Sequence, residues 1–157
     1  MKKIKYFLQF LVIFFLFLIF RIIGYKIASN FGYFIGKTVG PKFRTKKIII
    51  ENLKNLNSSI KDDQLNKIIK RMWGNYGRIL AEYPYIPSFR KKKLENYLKI
   101  EGLENLKKIK NSEKPTVFIS GHFNNFELMA MIIDREGIEL STIYRPLNNK
   151  FLNIIME

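Results

Sequence analysis

The sequence contains no cysteine, one histidine and one tryptophan among its 157 residues. Without cysteine, the chain can form no disulfide, thiolate metal site or cysteine nucleophile, which fits a reducing compartment. It also contains no P-loop, no dinucleotide-binding fingerprint and no metal-ligand cluster of recognisable spacing. These absences exclude several common enzyme classes and direct attention to the single histidine, His122.

Acidic residues are absent from the first fifty positions, which contain ten Lys or Arg. Over the whole chain, 28 Lys and Arg outnumber 13 Asp and Glu, and the formal charge is +15. Such a surplus favours anionic partners: nucleic acid, an acidic membrane face or phosphorylated substrates. A general bias towards Lys, Ile, Asn and Phe would explain much of the same charge. Nucleic acid is disfavoured because the aromatic residues pattern as core and membrane faces, not as an exposed stacking surface.

A long uncharged run, from Tyr6 to Phe20, follows three lysines near the N-terminus. Extended to Ile23 as a helix, it spans about 27 Å, close to the ~30 Å hydrocarbon core of a bilayer, if Arg21 reaches the headgroups. A cleaved signal peptide is the rival interpretation, but no A-x-A-like cleavage site follows. We therefore predict a retained membrane anchor. The positive-inside rule slightly favours a cytoplasmic position for the chain that follows.

Small residues then recur at every fourth position, at Gly24, Ala28, Gly32, Gly36 and Gly40. On a helix this spacing forms a smooth stripe that another backbone can approach closely. The stripe indicates either a groove for helix packing within the chain or a dimerisation motif. Together with the apolar run it predicts a membrane-associated helical unit over residues 6–40, ending at Pro41.

Two further helices are predicted in the middle of the chain, over residues 45–56 and about 65–80. The second carries an apolar face for over four turns and ends at Pro84 and Pro87. A basic run at residues 90–93 follows. It is either a solvated surface or, next to a membrane anchor, a contact with anionic headgroups.

From about residue 97 the pattern alternates between strands and helices. We predict strands over 97–101, 116–120 and 139–144, and helices over 103–111, 125–137 and 148–157. This order is typical of an α/β fold, with a partial, mostly parallel sheet flanked by helices that follows the N-terminal membrane-associated helices. Because the last helical face has barely begun where the sequence stops, we expect a fragment of a longer protein.

The histidine lies in the stretch SGHFNNFE, directly after the predicted strand 116–120. Ligands in open α/β sheets bind at this edge. Asn124 is a good N-cap, and Glu127 three residues later completes a capping-box pattern, so Glu127 has a structural interpretation beside a chemical one. A histidine at a strand end is likewise often a hydrogen-bonding spacer.

The chemical interpretation of His122 and Glu127 is general base catalysis. Acyl transfer to an alcohol needs a base that takes the hydroxyl proton during attack on a thioester, and histidine can do this near neutral pH. The imidazole then needs an acceptor on its other nitrogen, and a carboxylate serves best. With His122 in a loop and Glu127 in the first helical turn, the chain can fold the two side chains together, and the helix N-terminus stabilises the negative charge.

The His-x4-Glu pattern from His122 to Glu127 resembles the His-x4-Asp/Glu motif of the glycerolipid acyltransferase superfamily. More specifically, the chain resembles the late acyltransferases of lipid A biosynthesis, the lauroyl- and myristoyltransferases. Four other features match that branch in order: the N-terminal anchor, ENLKNL at 51–56, RMWGNYGRILAEY at 71–83 and IYRPLNN at 143–149. This resemblance covers nearly the whole chain.

The resemblance implies transfer of a fatty acyl chain from acyl carrier protein to a hydroxyl of a phosphorylated lipid A precursor, at the cytoplasmic face of the bacterial inner membrane. His122 would be the general base and Glu127 its partner. Arg145 would hold substrate phosphate or the developing oxyanion, and Asn125 would contribute to substrate binding. Acyl-acyl carrier protein or acyl-CoA would be the co-substrate, with no cofactor or metal.

The same resemblance implies a division into an anchor with interfacial helices at 1–40, a helical region at 41–93 and the first part of an α/β acyltransferase domain at 94–157. Family members are roughly twice as long as this chain. Two alternatives remain: an acyltransferase for phospholipid or another glycolipid, and a non-catalytic membrane-anchored protein that binds anionic lipid.

Overall fold

The computed structural model describes residues 2–42, 46–112, 114–143 and 145–156, the last without its side chain. Within these ranges the α-helices are α1 (Lys2–Ile23), α2 (Tyr25–Val39), α3 (Lys46–Leu56), α4 (Asp62–Glu82), α5 (Ile86–Arg90), α6 (Leu103–Lys110), α7 (Glu127–Arg135) and α8 (Lys150–Met156). Short 3-10 turns occupy Gly40–Lys42, Tyr83–Tyr85 and Glu95–Tyr97. Three positions with sequence predictions, Thr45, Tyr144 and Glu157, lie outside the described residues.

The chain divides into two compact units. Phe17–Pro84 forms one, here called the helix-pair unit, because α2 packs along α4 within it. Met1–Leu16 together with Tyr85–Glu157 forms the other, here called the motif unit, because it contains the His-x4-Glu stretch.

Helix α1 has the length and composition of a membrane-crossing helix. Its 22 residues include an 18-residue window of mean hydropathy 2.5, of which 6% is buried. Its exposed side chains are mostly apolar, as the sequence predicted for this segment. A signal sequence near an N-terminus satisfies the same criteria, so α1 alone is weak evidence for a membrane span.

Gly24 separates α1 from α2. Its φ of +84° lies in the left-handed region, which glycine adopts without the steric cost that a Cβ would bring. The carbonyl of Gly24 then accepts the N–H of Ala28 at 2.9 Å, which is the first backbone hydrogen bond of the new helix.

The stripe of small residues on α2 is a groove for packing within the chain. A Cβ placed on Gly32 would lie 2.5 Å from both the Ala81 Cβ and the Gly77 carbonyl oxygen of α4. A Cβ on Gly77 would overlap the Gly32 carbonyl in return. Backbone therefore meets backbone across the α2–α4 contact, which confirms the first of the two predicted roles of the stripe.

Helix α4 is the longest helix of the helix-pair unit, and it begins and ends close to the predicted bounds. Asp62 and Asp63 stand in its first turn, where carboxylates complement the positive helix N-terminus. Leu65 and Ile69 are buried, as the apolar periodicity predicted. Glu82 is buried too, which the periodicity did not predict.

The predicted mostly parallel sheet is wrong. No strand occurs in the described ranges, and residues 97–101, 116–120 and 139–143 contain only a short 3-10 turn or irregular chain. The expected core residues of two strands are open to solvent instead, with Val117 84%, Ile119 91% and Ile143 108% exposed. A strand exists only through hydrogen bonds to a partner strand, and these apolar segments pair with no other described segment. The apolar runs therefore led to a prediction of buried strands, whereas these side chains are exposed in the fold.

The packed part of the motif unit joins α5 to α7. Phe89 is fully buried, and Met131, Ile132 and Ile133 of α7 are buried with it. Arg135 closes this contact from the end of α7: its guanidinium donates to both carboxylate oxygens of Glu95, at 2.7 and 3.1 Å. Arg90 pairs with Asp134 nearby.

Candidate functional site

His122 lies in a tight loop, as predicted, although no strand precedes it. The N–H of Phe123 donates to the carbonyl of Gly121 at 2.7 Å, so His122 is the central residue of a three-residue turn. Asn124 follows with φ +48°, a left-handed conformation that asparagine tolerates better than most residues. The His122 side chain is exposed, and its ring centroid lies 4.5 Å from that of Phe126.

Glu127 is the first residue of α7, so the predicted capping box is wrong. That prediction placed the helix start at Asn124, whereas the structure places Phe126 at the N-cap position, with no side-chain capping hydrogen bond. The left-handed conformation of Asn124 accompanies a helix start two residues further along the chain than predicted. The half-buried carboxylate of Glu127 therefore stands in the first turn of α7 without a capping role, and the helix N-terminus stabilises its negative charge.

The loop and the helix start bring His122 and Glu127 into one short segment. The Phe126 ring, which is adjacent in sequence to Glu127, contacts the imidazole of His122. No hydrogen bond or ion pair between His122 and Glu127 is formed among the residues that the structure describes. The segment thus has the predicted arrangement of a loop histidine before a helical carboxylate.

The two predicted substrate-binding residues occupy different environments. Asn125 is half-buried just before α7, and its carbonyl accepts the N–H of Leu128 at 3.2 Å. Arg145 is exposed in irregular chain before α8. An exposed guanidinium is available to an anionic ligand, and its five N–H donors match phosphate or carboxylate oxygens.

A cavity of about 860 Å³ adjoins the N-terminal half of α7. Its lining is mixed: Phe126 and Ile133 are apolar, while Lys110, Ser120 and Glu127 are among the polar and charged residues. Glu127 is the one member of the four predicted site residues, all of them described, that lines this cavity.

The IYRPLNN stretch contains a residue whose role the sequence did not reveal. Asn149 is buried, and its Oδ1 accepts the N–H groups of Phe151 and Leu152 at 3.1 and 3.4 Å, so it caps α8. Its Nδ2 donates to the Tyr6 carbonyl at 2.9 Å and to Gln9 at 3.3 Å. A polar residue directly before an apolar helical run signals a cap, but its second contact, 143 residues away, carries no local signal.

The RMWGNYGRILAEY stretch belongs to α4 and has a packing role. Gly74 faces the Tyr33 ring of α2, and a Cβ there would lie 2.5 Å from it. Gly77 meets the α2 backbone, and Arg78 places its guanidinium 4.8 Å from the Tyr33 ring centroid, within cation–π range. The stretch holds two helices in contact and lies in a different unit from His122.

Comparison with known protein families yields a match over the entire chain. The model of the family described as bacterial lipid A biosynthesis acyltransferase matches residues 1–157. The chain belongs to this family. Comparisons with curated proteins and with solved structures yielded no match.

Membership in the lipid A biosynthesis acyltransferase family confirms the resemblance that the motifs indicated. It assigns the chain to acyl transfer in general, with an acyl donor and a lipid acceptor. In this family member four of the sequence features divide between the two units. The His-x4-Glu and IYRPLNN stretches lie in the motif unit, and the ENLKNL and RMWGNYGRILAEY stretches lie on α3 and α4 of the helix-pair unit.

Proposed function

We propose that this protein transfers a fatty acyl group from acyl carrier protein to a hydroxyl of a phosphorylated lipid A precursor, at the cytoplasmic face of the inner membrane. The observation that carries this proposal is the match of the lipid A biosynthesis acyltransferase family to residues 1–157. Acyl-CoA is the alternative donor of the same thioester chemistry. The reaction requires no cofactor or metal, because side chains can transfer the proton and stabilise the charges that develop.

In the proposed reaction, the neutral imidazole of His122 removes the proton of the acceptor hydroxyl while that oxygen attacks the thioester carbonyl. A tetrahedral oxyanion forms and collapses, the carbon–sulfur bond breaks, and the thiolate leaves with the proton that His122 returns. Glu127 accepts a hydrogen bond from the second imidazole nitrogen and stabilises the imidazolium while it exists. The loop-to-helix placement of the two residues supports this division of roles.

The proposed hydrogen bond between His122 and Glu127 belongs to the reactive complex. Catalytic hydrogen bonds are often long or unmade before substrate binds and tighten in the reactive complex. Here the imidazole is exposed in a loop directly before the helix that begins with Glu127. Arg145 would hold the acceptor phosphate or the oxyanion, and Asn125 would help to position the substrate.

The decisive experiment compares His122→Ala with Phe123→Ala. Phe123 is 83% exposed beside the histidine and has no role in the proposed chemistry, so it reports loop perturbation alone. We expect His122→Ala to reduce the rate of transfer from acyl carrier protein to a lipid A precursor by about 10²-fold or more, while Phe123→Ala stays near the parent rate. Near-normal turnover of His122→Ala would refute the general-base role. Absence of transfer by the parent protein would favour the non-catalytic lipid-binding alternative.

The charge-holding role of Arg145 has its own measurement. Arg145→Ala should raise KM for a phosphorylated acceptor and leave KM for the dephosphorylated acceptor unchanged if the guanidinium binds phosphate. A loss of kcat with both acceptors would instead place Arg145 at the oxyanion. Lys150→Ala, which removes an exposed cation nearby in sequence, is the matched control. Unchanged kinetics for Arg145→Ala with both acceptors would remove it from the site.

A further inference from the structure

The helix-pair unit leaves one apolar helix face uncovered. Ile27, Phe31 and Phe34 of α2 are 63%, 45% and 62% exposed. They fall at positions i, i+4 and i+7, and therefore point to the same side of the helix. We call these three side chains the α2 apolar face.

The α2 apolar face is not the face that packs inside the protein. Ala28 and Gly32 are buried and meet α4 together with Gly36. These three residues lie on the side of α2 away from Phe34. At about 100° per residue, Gly32 and Gly36 are each about 160° from Phe34 around the helix, and Ala28 is about 120° from it. Helix α2 is therefore apolar on two sides: α4 covers one, and no described side chain covers the other.

Positive charge borders the α2 apolar face, and negative charge is absent. Lys26 and Lys37 are both exposed and lie about 20° apart around the helix, roughly 100° from Ile27. Residues 1–50 contain no Asp or Glu. An aromatic and aliphatic face with lysines along its border is the pattern of a helix that lies in the plane of a membrane surface.

The neighbouring helix gives the α2 apolar face a reason to meet lipid. Only Gly24 separates α2 from α1, the one helix among the described residues that is long and apolar enough to cross a membrane. If the chain enters a bilayer through α1, α2 begins at the bilayer surface. A second copy of the chain is a poorer occupant, because symmetric pairing of this face would place the lysines of both copies together with no acid of α2 between them.

We infer that α2 is an interfacial helix: Ile27, Phe31 and Phe34 enter the boundary between headgroups and acyl chains of an anionic bilayer, and Lys26 and Lys37 bind the headgroups. This contact is separate from the insertion of α1. It is also independent of the proposed acyl transfer, because it involves no residue of the motif unit. Its consequence is a helix-pair unit held flat against the membrane through α2.

The absence of cysteine makes this inference directly testable with single spin labels. Labels are placed on the α2 apolar face through Ile27→Cys, Phe31→Cys and Phe34→Cys, in the full chain reconstituted into phosphatidylcholine vesicles containing phosphatidylglycerol. Ser58→Cys, exposed between α3 and α4, and Asn66→Cys, exposed on α4, are the matched controls. Phe15→Cys reports the insertion of α1 separately.

The measured quantity is the ratio of label collisions with oxygen, which concentrates in the acyl region, to collisions with a water-soluble nickel complex. We expect a several-fold higher ratio at positions 27, 31 and 34 than at positions 58 and 66. Equal access of nickel to all five labels, with Phe15→Cys still protected, would overturn the inference. Protection at Phe31→Cys accompanied by spin–spin broadening between copies would overturn it in favour of self-association.

The anionic part of the inference is tested by neutralising the lysines. With the label at Phe34→Cys, the double substitution Lys26→Gln and Lys37→Gln should lower the oxygen-to-nickel collision ratio several-fold. Vesicles of phosphatidylcholine alone should lower it in the same way. The control pair Lys67→Gln and Lys70→Gln, exposed on α4, should leave the label protected. If the label stays protected both in neutral vesicles and after substitution of Lys26 and Lys37, the proposed headgroup contact is wrong.

Discussion

The Ser29 hydroxyl donates a 2.7 Å hydrogen bond to Glu82 Oε1, and this bond ties α2 to α4 across 53 residues of sequence. Tyr25 donates to the same oxygen at 3.3 Å. Both Ser29 and Glu82 are buried, so the carboxylate depends on these donors in place of water. The glycine contact brings the two backbones close, and this polar contact fixes which residues of the two helices face each other.

Removing the serine hydroxyl should destabilise the helix-pair unit. We expect Ser29→Ala to lower the free energy of unfolding by about 1–3 kcal/mol, because a buried carboxyl oxygen loses a hydrogen-bond donor. The measurement is chemical unfolding of the detergent-solubilised protein, followed by circular dichroism. Ser58→Ala, at an exposed position between α3 and α4, should change the same quantity by less than ~0.5 kcal/mol. Equal effects of the two substitutions would show that the bond is weak.

Adding one methyl group at Gly77 should also destabilise the α2–α4 contact. In an ordinary helix interior, replacing glycine with alanine stabilises by up to ~1 kcal/mol. At Gly77 the new Cβ would overlap the Gly32 carbonyl, so we expect Gly77→Ala to cost about 1–3 kcal/mol of unfolding free energy. Asn66→Ala, exposed on the same helix, is the control and should be neutral or slightly stabilising. A stabilised Gly77→Ala protein would contradict the close helix approach.

The stability of the motif unit should depend on pH through Glu95. Its hydrogen bond with Arg135 holds the pKa of the Glu95 carboxyl below its ordinary value of 4.5. Because the folded-state pKa is lowered, the stabilisation is complete above 4.5 and is lost as the pH falls through the lower folded value. Unfolding measured as a function of pH should therefore show a smaller acid loss for Glu95→Gln than for the parent. Glu104→Gln, exposed on α6, should retain the parent's profile.

A conservative substitution can distinguish a catalytic role of Glu127 from a role in helix formation. Because Glu127 forms no capping hydrogen bond, Glu127→Gln should leave the helix content unchanged. Acyl transfer should nevertheless fall by about 10²-fold or more, because an amide cannot stabilise the imidazolium as a carboxylate does. Glu139→Gln, a second carboxylate of the same cavity, is the control for a general loss of negative charge. Glutamine and glutamate performing equally at position 127 would remove the carboxylate from the mechanism.

The helices were predicted well because their signals are local. In α4, Leu65 and Ile69 repeat at the helical period, and each backbone hydrogen bond closes within five residues. The end of α4 near Pro84 also depends on the conformation of single residues. The break at Gly24 was not predicted, because the sequence analysis placed Gly24 on the helical stripe of small residues. Where tertiary neighbours decide, prediction failed: 116–120 is apolar and was predicted as a buried strand, and Val117 and Ile119 are exposed.

The candidate site was predicted in part for the same reason. The spacing of His122 and Glu127 sufficed to predict a loop before a helix start, because both residues lie in one short segment. It did not predict the left-handed Asn124, which shifts the helix start and removes the capping box. Nor did it reveal the contact of Asn149 with the Tyr6 carbonyl, because that partner lies at the other end of the chain.

The sequence by itself determined the family, the apolar helix α1, the helical segments and the one histidine available for acid–base chemistry. All of these follow from residue order and composition, which a chain carries before it folds. Only the tertiary structure decided that Gly32 meets Gly77, that Glu82 is buried against Ser29, and that the α2 apolar face stays open. Those outcomes depend on which surfaces, distant in sequence, pack together. The sequence around a glycine or a glutamate does not show whether a distant residue will pack against it.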